Sequence, residues 1–247
     1  MALDRPAGKG RRGRRPAPAW HPHAVALLDY LHGEHGAEVI VRGEDGEEER
    51  VPAAVFFRGP VDFSGLEEAA LECCSGRVLD VGAGAGSHAL VLQARGLEIV
   101  ALDIAAEAVE VMRARGVQDA RCGDLFELTG ERFDTVLLLM NGAGIGGTLE
   151  GLDRFLRFLP SVLAPEGQAL MDSYDMTELP PLVPGRYPGE MRFQLEYKDI
   201  RGADYDWLFV DLETLSDRAA RAGLACEGIW HEAEGHYLAR LTMAEGS

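Results

Sequence analysis

The chain reads as an α/β protein: a doubly wound, mostly parallel sheet with helices on both faces and a small N-terminal cap segment. Three observations carry that reading. From Gly76 onward, strand-length apolar runs alternate with helix-length amphipathic ones. The strands are apolar throughout instead of alternating, as strands buried on both faces must be. A glycine-dense loop joins the first of these strands to the first helix.

Residues 1–18 read as a disordered basic tail. A cap segment spans 19–75: helical spacing over His23–Leu31, a strand over Glu38–Arg42, a turn at Glu44-Asp45-Gly46-Glu47, an extended stretch near Val51 and a short helix over Leu66–Cys74. The main domain is assigned to 76–247. Its strands are expected at Arg77–Val81, Glu98–Leu102, Ala120–Cys122, Phe133–Met140 and Gln168–Asp172. Between them fall helices at Ser87–Arg95, Ala106–Arg115 and Leu152–Leu163, the last closed by Pro165-Glu166-Gly167. Residues 176–189 are proline- and glycine-rich and read as a loop. Met191–Lys198 and Tyr205–Asp211 alternate as strands and are expected to pair as an inserted hairpin over 190–211. Helix Leu212–Gly223 and strands Ala225–Trp230 and Tyr237–Met243 close the chain.

At 247 residues, 47% of them apolar, the chain can bury a sizeable core as one domain with an appended cap. The formal charge of −17 is uneven. Six basic side chains (Arg5, Lys9, Arg11, Arg12, Arg14, Arg15) face one acid, Asp4, so residues 1–15 carry +5 and the remainder −22. An acidic body repels a phosphate backbone, which argues against nucleic acid as partner and for a small neutral or cationic one. No run approaches a membrane span and nothing after Met1 has signal-peptide order. Cys73, Cys74, Cys122 and Cys226 have neither zinc spacing nor a redox C-x-x-C, so a cytoplasmic protein with reduced thiols and no metal is expected, as monomer or homodimer.

The decisive stretch is Val78-Leu79-Asp80-Val81-Gly82-Ala83-Gly84-Ala85-Gly86-Ser87-His88. Glycines between a strand and a helix let backbone approach a ligand and aim helix N–H groups at it. The dinucleotide fingerprint requires a third glycine three positions after Gly84, where Ser87 stands. The spacing Gly82, Gly84, Gly86 after Asp80 resembles instead motif I, D-x-G-x-G-x-G, of class I S-adenosylmethionine-dependent methyltransferases. Asp103 follows Gly82 by 21 positions at the end of the second strand, and Cys122-Gly123-Asp124-Leu125 resembles the family's loop after strand three.

That resemblance implies a Rossmann-like, seven-stranded sheet with a reversed final hairpin and S-adenosylmethionine as cofactor. It implies that Asp80 and the backbone of Gly82, Ala83, Gly84 and Gly86 hold the methionine part. Asp103 would take the ribose hydroxyls, Ile104 and Leu125 would pack on adenine, and Asp124 would take its amino group. Asn141 occupies the family's position beside the transferring methyl group. Val55-Phe56-Phe57-Arg58, Leu137-Leu138-Leu139-Met140-Asn141-Gly142 and Tyr205–Val210 are similar to a bacterial subgroup of small class I enzymes. The Asn-Pro-Pro-Tyr signature of amino-methylating nucleic-acid enzymes does not follow strand four.

The residues themselves leave choices open. Asp103 and Asp124 also suit helix caps, Phe56 and Phe57 suit a core, and Arg58 suits either the cofactor carboxylate or a surface ion pair. Asp172 and Asp175, near the carboxyl end of strand five, are candidates for a base or for orienting an amine. His88, in the first turn of the helix after the loop, is read as partly exposed and without a catalytic role, and His231 and His236 as ordinary surface or edge histidines. The expected activity is methyl transfer to a nitrogen or oxygen of a small molecule. A non-catalytic cofactor-binding regulatory module and a NAD-dependent oxidoreductase are its rivals.

Overall fold

A computed structural model describes residues 17–244. In chain order the elements are α1 (His21–Leu31), β1 (Glu38–Gly43), β2 (Glu48–Pro52), α2 (Gly65–Cys73), β3 (Arg77–Val81), α3 (Ser87–Ala94), β4 (Glu98–Asp103), α4 (Ala106–Arg115) and β5 (Ala120–Cys122). They continue as β6 (Phe133–Leu138), α5 (Leu149–Phe158), β7 (Leu163–Tyr174), β8 (Glu190–Tyr197), β9 (Ile200–Arg201), β10 (Tyr205–Leu208), α6 (Leu212–Arg221), β11 (Leu224–His231) and β12 (His236–Met243).

The main sheet has seven strands in the order β11-β12-β7-β6-β3-β4-β5. Strands β3 to β7 run parallel, whereas β12 is antiparallel to both β7 and β11. This is the doubly wound sheet with a reversed final hairpin. Each parallel strand feeds one apolar layer on either side: in β3, Val78 packs with Ile99, Ala101 and Leu92, while Leu79 packs with Val100, Val136 and Phe155. Both faces are therefore dry, which explains the unbroken apolar runs.

Local chemistry sets the helix ends. Ser64 and Glu67 form a reciprocal capping box at the start of α2. Asp211 accepts from the Thr214 N–H at the start of α6. Gly116 ends α4 in the left-handed region.

Two expected pieces turn out to share a second sheet. Its order is β10-β8-β1-β2, with β9 paired to β8, so the 190–211 hairpin is joined edge to edge with the N-terminal strands. Helix α1 closes against this sheet and against α4, where Ala24 and Leu27 meet Ala108 and Val111. Most of the expected tail lies outside the described residues, but Ala17 already belongs to the fold. Its N–H donates to Arg201 O at 3.0 Å and its carbonyl accepts from Ala203 N at 2.8 Å.

Several boundaries differ from expectation: β7 begins at Leu163 and takes in Pro165-Glu166-Gly167, and β10 stops at Leu208, before the Asp211 cap of α6. The fourth parallel strand ends at Leu138, because Met140 and Asn141 turn into the left-handed region at φ 66° and 61°. Helix α5 begins at Leu149, capped by Thr148, and ends at Phe158, where a short 3-10 turn through Pro160 takes over.

Candidate active site

The carboxyl edge of the main sheet and the inner face of the second sheet enclose a cavity of about 710 Å³. Its floor is the loop after β3. Gly82, Gly84 and Gly86 sit at φ 68°, 54° and 78°, a conformation closed to most side chains. A Cβ on Gly82 would meet no protein atom, whereas one on Gly86 would press on Val117 and Met112 at 2.9 and 3.0 Å. The first glycine leaves room for a ligand, and the third lets α3 approach its neighbours.

Asp103 ties this loop to the end of β4. Its two carboxylate oxygens accept from Gly84 N and Ala105 N, both at 2.9 Å. Burial raises its pKa against those hydrogen bonds. Next to it Ile104 is 59% exposed and lines the cavity, an apolar side chain with no protein face to cover it. Asp124 borders the same end while accepting from Phe126 N at 2.9 Å, and Leu125 is buried. Both acids thus cap a turn and face the cavity at once.

Asp80 is 2% exposed, lines the cavity, and its Oδ2 has no hydrogen-bond partner. Burial pushes its pKa up to about 6. A buried carboxylate with an orphan oxygen beside a glycine cradle suits a cationic group of a ligand.

Arg58 also borders the cavity, but its guanidinium is committed. It donates to Val55 O at 2.8 Å and Asp62 O at 3.0 Å, and forks onto Glu67 at 2.9 and 3.0 Å. Glu67 further accepts from His88 Nε2 at 2.8 Å. Burial opposes the charge on Glu67, yet the bonds from His88, the Ser64 N–H and Arg58 outweigh it and hold the carboxyl at about 2. His88 is partly buried, its side chain 11% exposed, and it lines the cavity. No motif pointed to it; its signal is spatial, the pairing with a glutamate 21 residues away.

Three expected transfer-point residues sit differently. Asn141 reaches the cavity, but its side chain is spent within the fold: Nδ2 donates to Leu208 O and Oδ1 accepts from Ser173 Oγ, both at 3.0 Å. Asp172 is buried beneath that turn, accepting from Asn141 N and Gly142 N at 2.8 Å and contacting His236 Nε2 at 2.9 Å. It does not line the cavity, and neither does the exposed Asp175, whose carboxylate is taken by Thr177. Asn141 and Asp172 thus hold the Met140–Gly142 turn, and neither Asp172 nor Asp175 is among the side chains that face the cavity. His236, expected as an edge histidine, is stacked on Tyr174 at 4.0 Å and pairs with Asp172 and Glu232. Burial lowers its pKa, but the Asp172 and Glu232 carboxylates outweigh this and raise it.

The roof is aromatic. Trp20, Phe56, Phe193, Tyr205, Trp207 and Phe209 line the cavity, with Trp20 4.7 Å from Tyr205 and 5.4 Å from Trp207 between ring centroids. Phe56 is thus a cavity wall as well as part of the core around α1. Trp207 lies directly on Gly144, where a Cβ would fall 2.1 Å from the indole. This is why glycine stands there.

A family profile described as a methyltransferase domain matches residues 78–167. Among solved structures, an S-adenosylmethionine-dependent methyltransferase from Bacteroides fragilis in complex with S-adenosyl-L-homocysteine is 42% identical, over 93% of this chain and 98% of that one, with a TM-score of 0.85. Two more distant structures share the fold. The CcbJ methyltransferase of Streptomyces caelestis is 13% identical over 76% of this chain and 92% of its own (TM-score 0.60). The PH0226 protein of Pyrococcus horikoshii is 19% identical over 75% and 94% (TM-score 0.58). No curated protein matches the chain. With close identity along nearly its whole length to an enzyme of this kind, and a cradle whose glycines and acids suit the same cofactor, the chain belongs to the S-adenosylmethionine-dependent methyltransferases.

Proposed function

We propose that the enzyme transfers the methyl group to a nitrogen or oxygen of a small molecule held between the two sheets. The observation that carries this reading is the single cavity with two unlike walls: glycines and acids on one side, aromatic rings on the other. A volume of about 710 Å³ lies within the range of small-molecule sites.

The cofactor supplies an electrophilic methyl on a sulfonium, whose sulfur leaves as a neutral thioether. The protein's own residues bind and align. Asp80 offers its orphan oxygen to the methionine ammonium, with the Gly82–Gly86 backbone beneath. Asp103 takes the ribose hydroxyls, Ile104 and Leu125 flank the adenine, and Asp124 accepts from its amine. Arg58 acts through Glu67 and His88, which shape the methionine end. Asn141 and Asp172 fix the turn under the transfer point. Alignment and exclusion of water contribute the most to such a transfer, roughly 7–11 kcal/mol. In this scheme the second sheet, built from parts of 19–75 and 190–211, is the acceptor-specific unit.

No helix among the described residues is long and apolar enough to cross a membrane. The four free cysteines and the strongly acidic composition fit a cytoplasmic enzyme acting on diffusible metabolites.

The test is tritium transfer from labelled cofactor into a fractionated cell extract, beside calorimetry with S-adenosylmethionine, S-adenosylhomocysteine and NAD. Expected are tight binding of both adenosyl ligands, none of NAD, and label in a low-molecular-weight fraction. Label confined to protein or nucleic acid would overturn the small-molecule reading. Binding without any transfer would favour the regulatory module.

A further inference from the structure

His236 opens β12 directly opposite Tyr174 of β7, and Asp172 lies two positions before Tyr174 on the same face of the sheet. That register brings three side chains together. The His236 and Tyr174 rings stack at 4.0 Å with 4° between their planes, and His236 Nε2 reaches Asp172 Oδ2 at 2.9 Å. On its other side His236 Nδ1 faces Glu232 Oε2 at 3.3 Å. Glu232 is tied down in turn, its Oε1 accepting from Leu66 N at 3.0 Å in the first turn of α2.

Hydrogen-bond accounting places the protons. Asp172 is 1% exposed, and both its oxygens accept from backbone, Oδ2 from Asn141 N and Oδ1 from Gly142 N, each at 2.8 Å. A carboxylate used in this way is an acceptor, and so is Glu232 under its backbone donor. A neutral imidazole would set a lone pair against one of the two carboxylates. The hydrogens between the three groups therefore belong to the ring, one on each nitrogen, and His236 is an imidazolium. Among the described residues no other cation pairs with Asp172 or Glu232. The next acids are Glu234 and Glu67, which act with these two on the Tyr174 phenol. Glu67 is already held by Arg58 and His88, and the Asp175 carboxylate by Thr177. The charge that offsets the buried Asp172 is thus the His236 ring.

What Asp172 holds is a turn that would not keep its shape unaided. Met140 and Asn141 both sit in the left-handed region, at φ 66° and 61°, where a residue with a side chain is strained. Met140, Asn141 and Gly142 all line the cavity. Asn141 O accepts from Gly144 N at 2.9 Å, and Gly144 carries the Trp207 indole. The turn therefore joins the end of β6 to the aromatic roof, with two successive N–H groups anchored on one carboxylate.

We infer that His236, as an imidazolium, is a positioning residue for methyl transfer: acting through Asp172, it holds the Met140–Gly142 turn in the shape that aligns cofactor and acceptor. This rests on the reading above that places transfer over that turn, and it holds for any acceptor. With the ring neutral, Asp172 keeps a buried charge without its counter-ion, and Asn141 N and Gly142 N lose a rigid anchor. The direction of the pH dependence follows. Burial works against the imidazolium, the Asp172 and Glu232 carboxylates outweigh it, and the ring titrates above its ordinary value of 6.5. The hold is fully present below that ordinary value and is lost as pH rises through the raised one.

The experiment needs no knowledge of the natural acceptor. The full chain saturated with S-adenosylhomocysteine is titrated with base and followed by NMR, the His236 imidazole being assigned by its loss in H236Q. The ring is expected to titrate above its ordinary value, and the backbone amide signals of Asn141 and Gly142 to move with the same midpoint. Tritium transfer from labelled cofactor into whole extract, counted over all fractions, should fall on the alkaline side through that midpoint. H236Q keeps a neutral donor in place of the charged one. It should transfer at least about tenfold more slowly at neutral pH, without the alkaline fall, and keep its calorimetric affinity for S-adenosylhomocysteine within about twofold. E232Q removes one of the two carboxylate charges and should move the imidazole midpoint and the fall in transfer to lower pH together. A ring that titrates at or below its ordinary value, amides that do not follow it, or H236Q with the parent rate and profile would overturn the inference. Imidazole and amides moving together while transfer stays constant would place the transfer point elsewhere, and the reading beneath the inference would fall with it.

Discussion

The two walls of the cavity are made by opposite strategies. The cofactor wall is local: Asp80, Gly82, Gly84 and Gly86 fall within seven residues, and Asp103 and Asp124 each close the next strand along. The acceptor wall is assembled from far apart, with Trp20 from the start of α1, Val39 and Glu49 from an N-terminal hairpin, and Phe193 and Trp207 from residues some 150 positions later. In the proposed assignment a cofactor shared by many enzymes is held by a short, repeated device, while the acceptor is met by long-range pairing that any insertion can remodel. Substitutions in one wall should therefore leave the other working, and this separation can be tested.

The largest effect is expected at Asp103. Asp103→Ala removes the carboxylate proposed to take the ribose hydroxyls and releases Gly84 N and Ala105 N. Hydrogen bonds to charged groups are worth about 1.5–3 kcal/mol each, so affinity for S-adenosylhomocysteine should fall roughly 100-fold or more by calorimetry. Emission from Trp20 and Trp207 should be preserved, because neither ring rests on Asp103. Unchanged affinity would remove the ribose role.

Gly144→Ala strikes the other wall. Its new Cβ would fall 2.1–2.5 Å from three atoms of the Trp207 indole, so the ring must lift. Overpacking of this kind costs about 1–3 kcal/mol of stability. Label transfer to the small-molecule fraction should drop at least about tenfold, with affinity for S-adenosylhomocysteine held within about twofold. Equal loss of cofactor binding would show that the walls are not separable.

This division also explains what could be read from the sequence. The parallel strands, the Gly82–Gly86 loop and Asp103 were legible because periodicity and glycine spacing encode geometry within one strand–turn–helix unit. The hairpin over 190–211 was legible too, but its edge pairing with β1 was not, since nothing in Val39 or Val41 names Leu195 as partner. Asp172 looked like a base because a strand end is where bases sit. Its actual partners, Asn141 N, Gly142 N and His236, lie 30 to 64 residues away. The pairing of His88 with Glu67 escaped for the same reason, since nothing in either stretch of sequence names the other as partner.

A third, smaller effect comes from pH. Asp80 titrates at about 6 in the folded chain because burial disfavours its charge. A cationic ligand group requires the ionised form. If the bound complex keeps Asp80 ionised, affinity should fall about tenfold between neutral pH and pH 5. The free protein has the opposite dependence from this group. Its folded pKa lies above the ordinary value of 3.8, so its contribution to stability is present in acid and is lost as pH rises through about 6. Calorimetry at pH 5 and 7.5 checks the first statement. Asp80→Asn should flatten that profile, and a slope persisting in the variant would assign it to another group.

The smallest effect separates the tail from both walls. Residues 1–15 carry +5, and among the described residues none before Trp20 lines the cavity. Deletion of residues 1–15 should leave affinity for S-adenosylhomocysteine within about twofold and the melting temperature unchanged. Deleting residues 1–18 is a different matter. It also removes the Ala17 hydrogen bonds to Arg201 and Ala203, which pin the chain entering Trp20 to the strand pair β8–β9. At about 1 kcal/mol for each such bond, a measurable loss of stability should appear. Because Trp20 is the first residue of the aromatic roof, weaker label transfer to the small-molecule fraction should accompany it, with the cofactor wall undisturbed. If the shorter deletion already weakened cofactor binding, the basic segment would have to reach the main sheet, and the separation of the two walls would no longer hold.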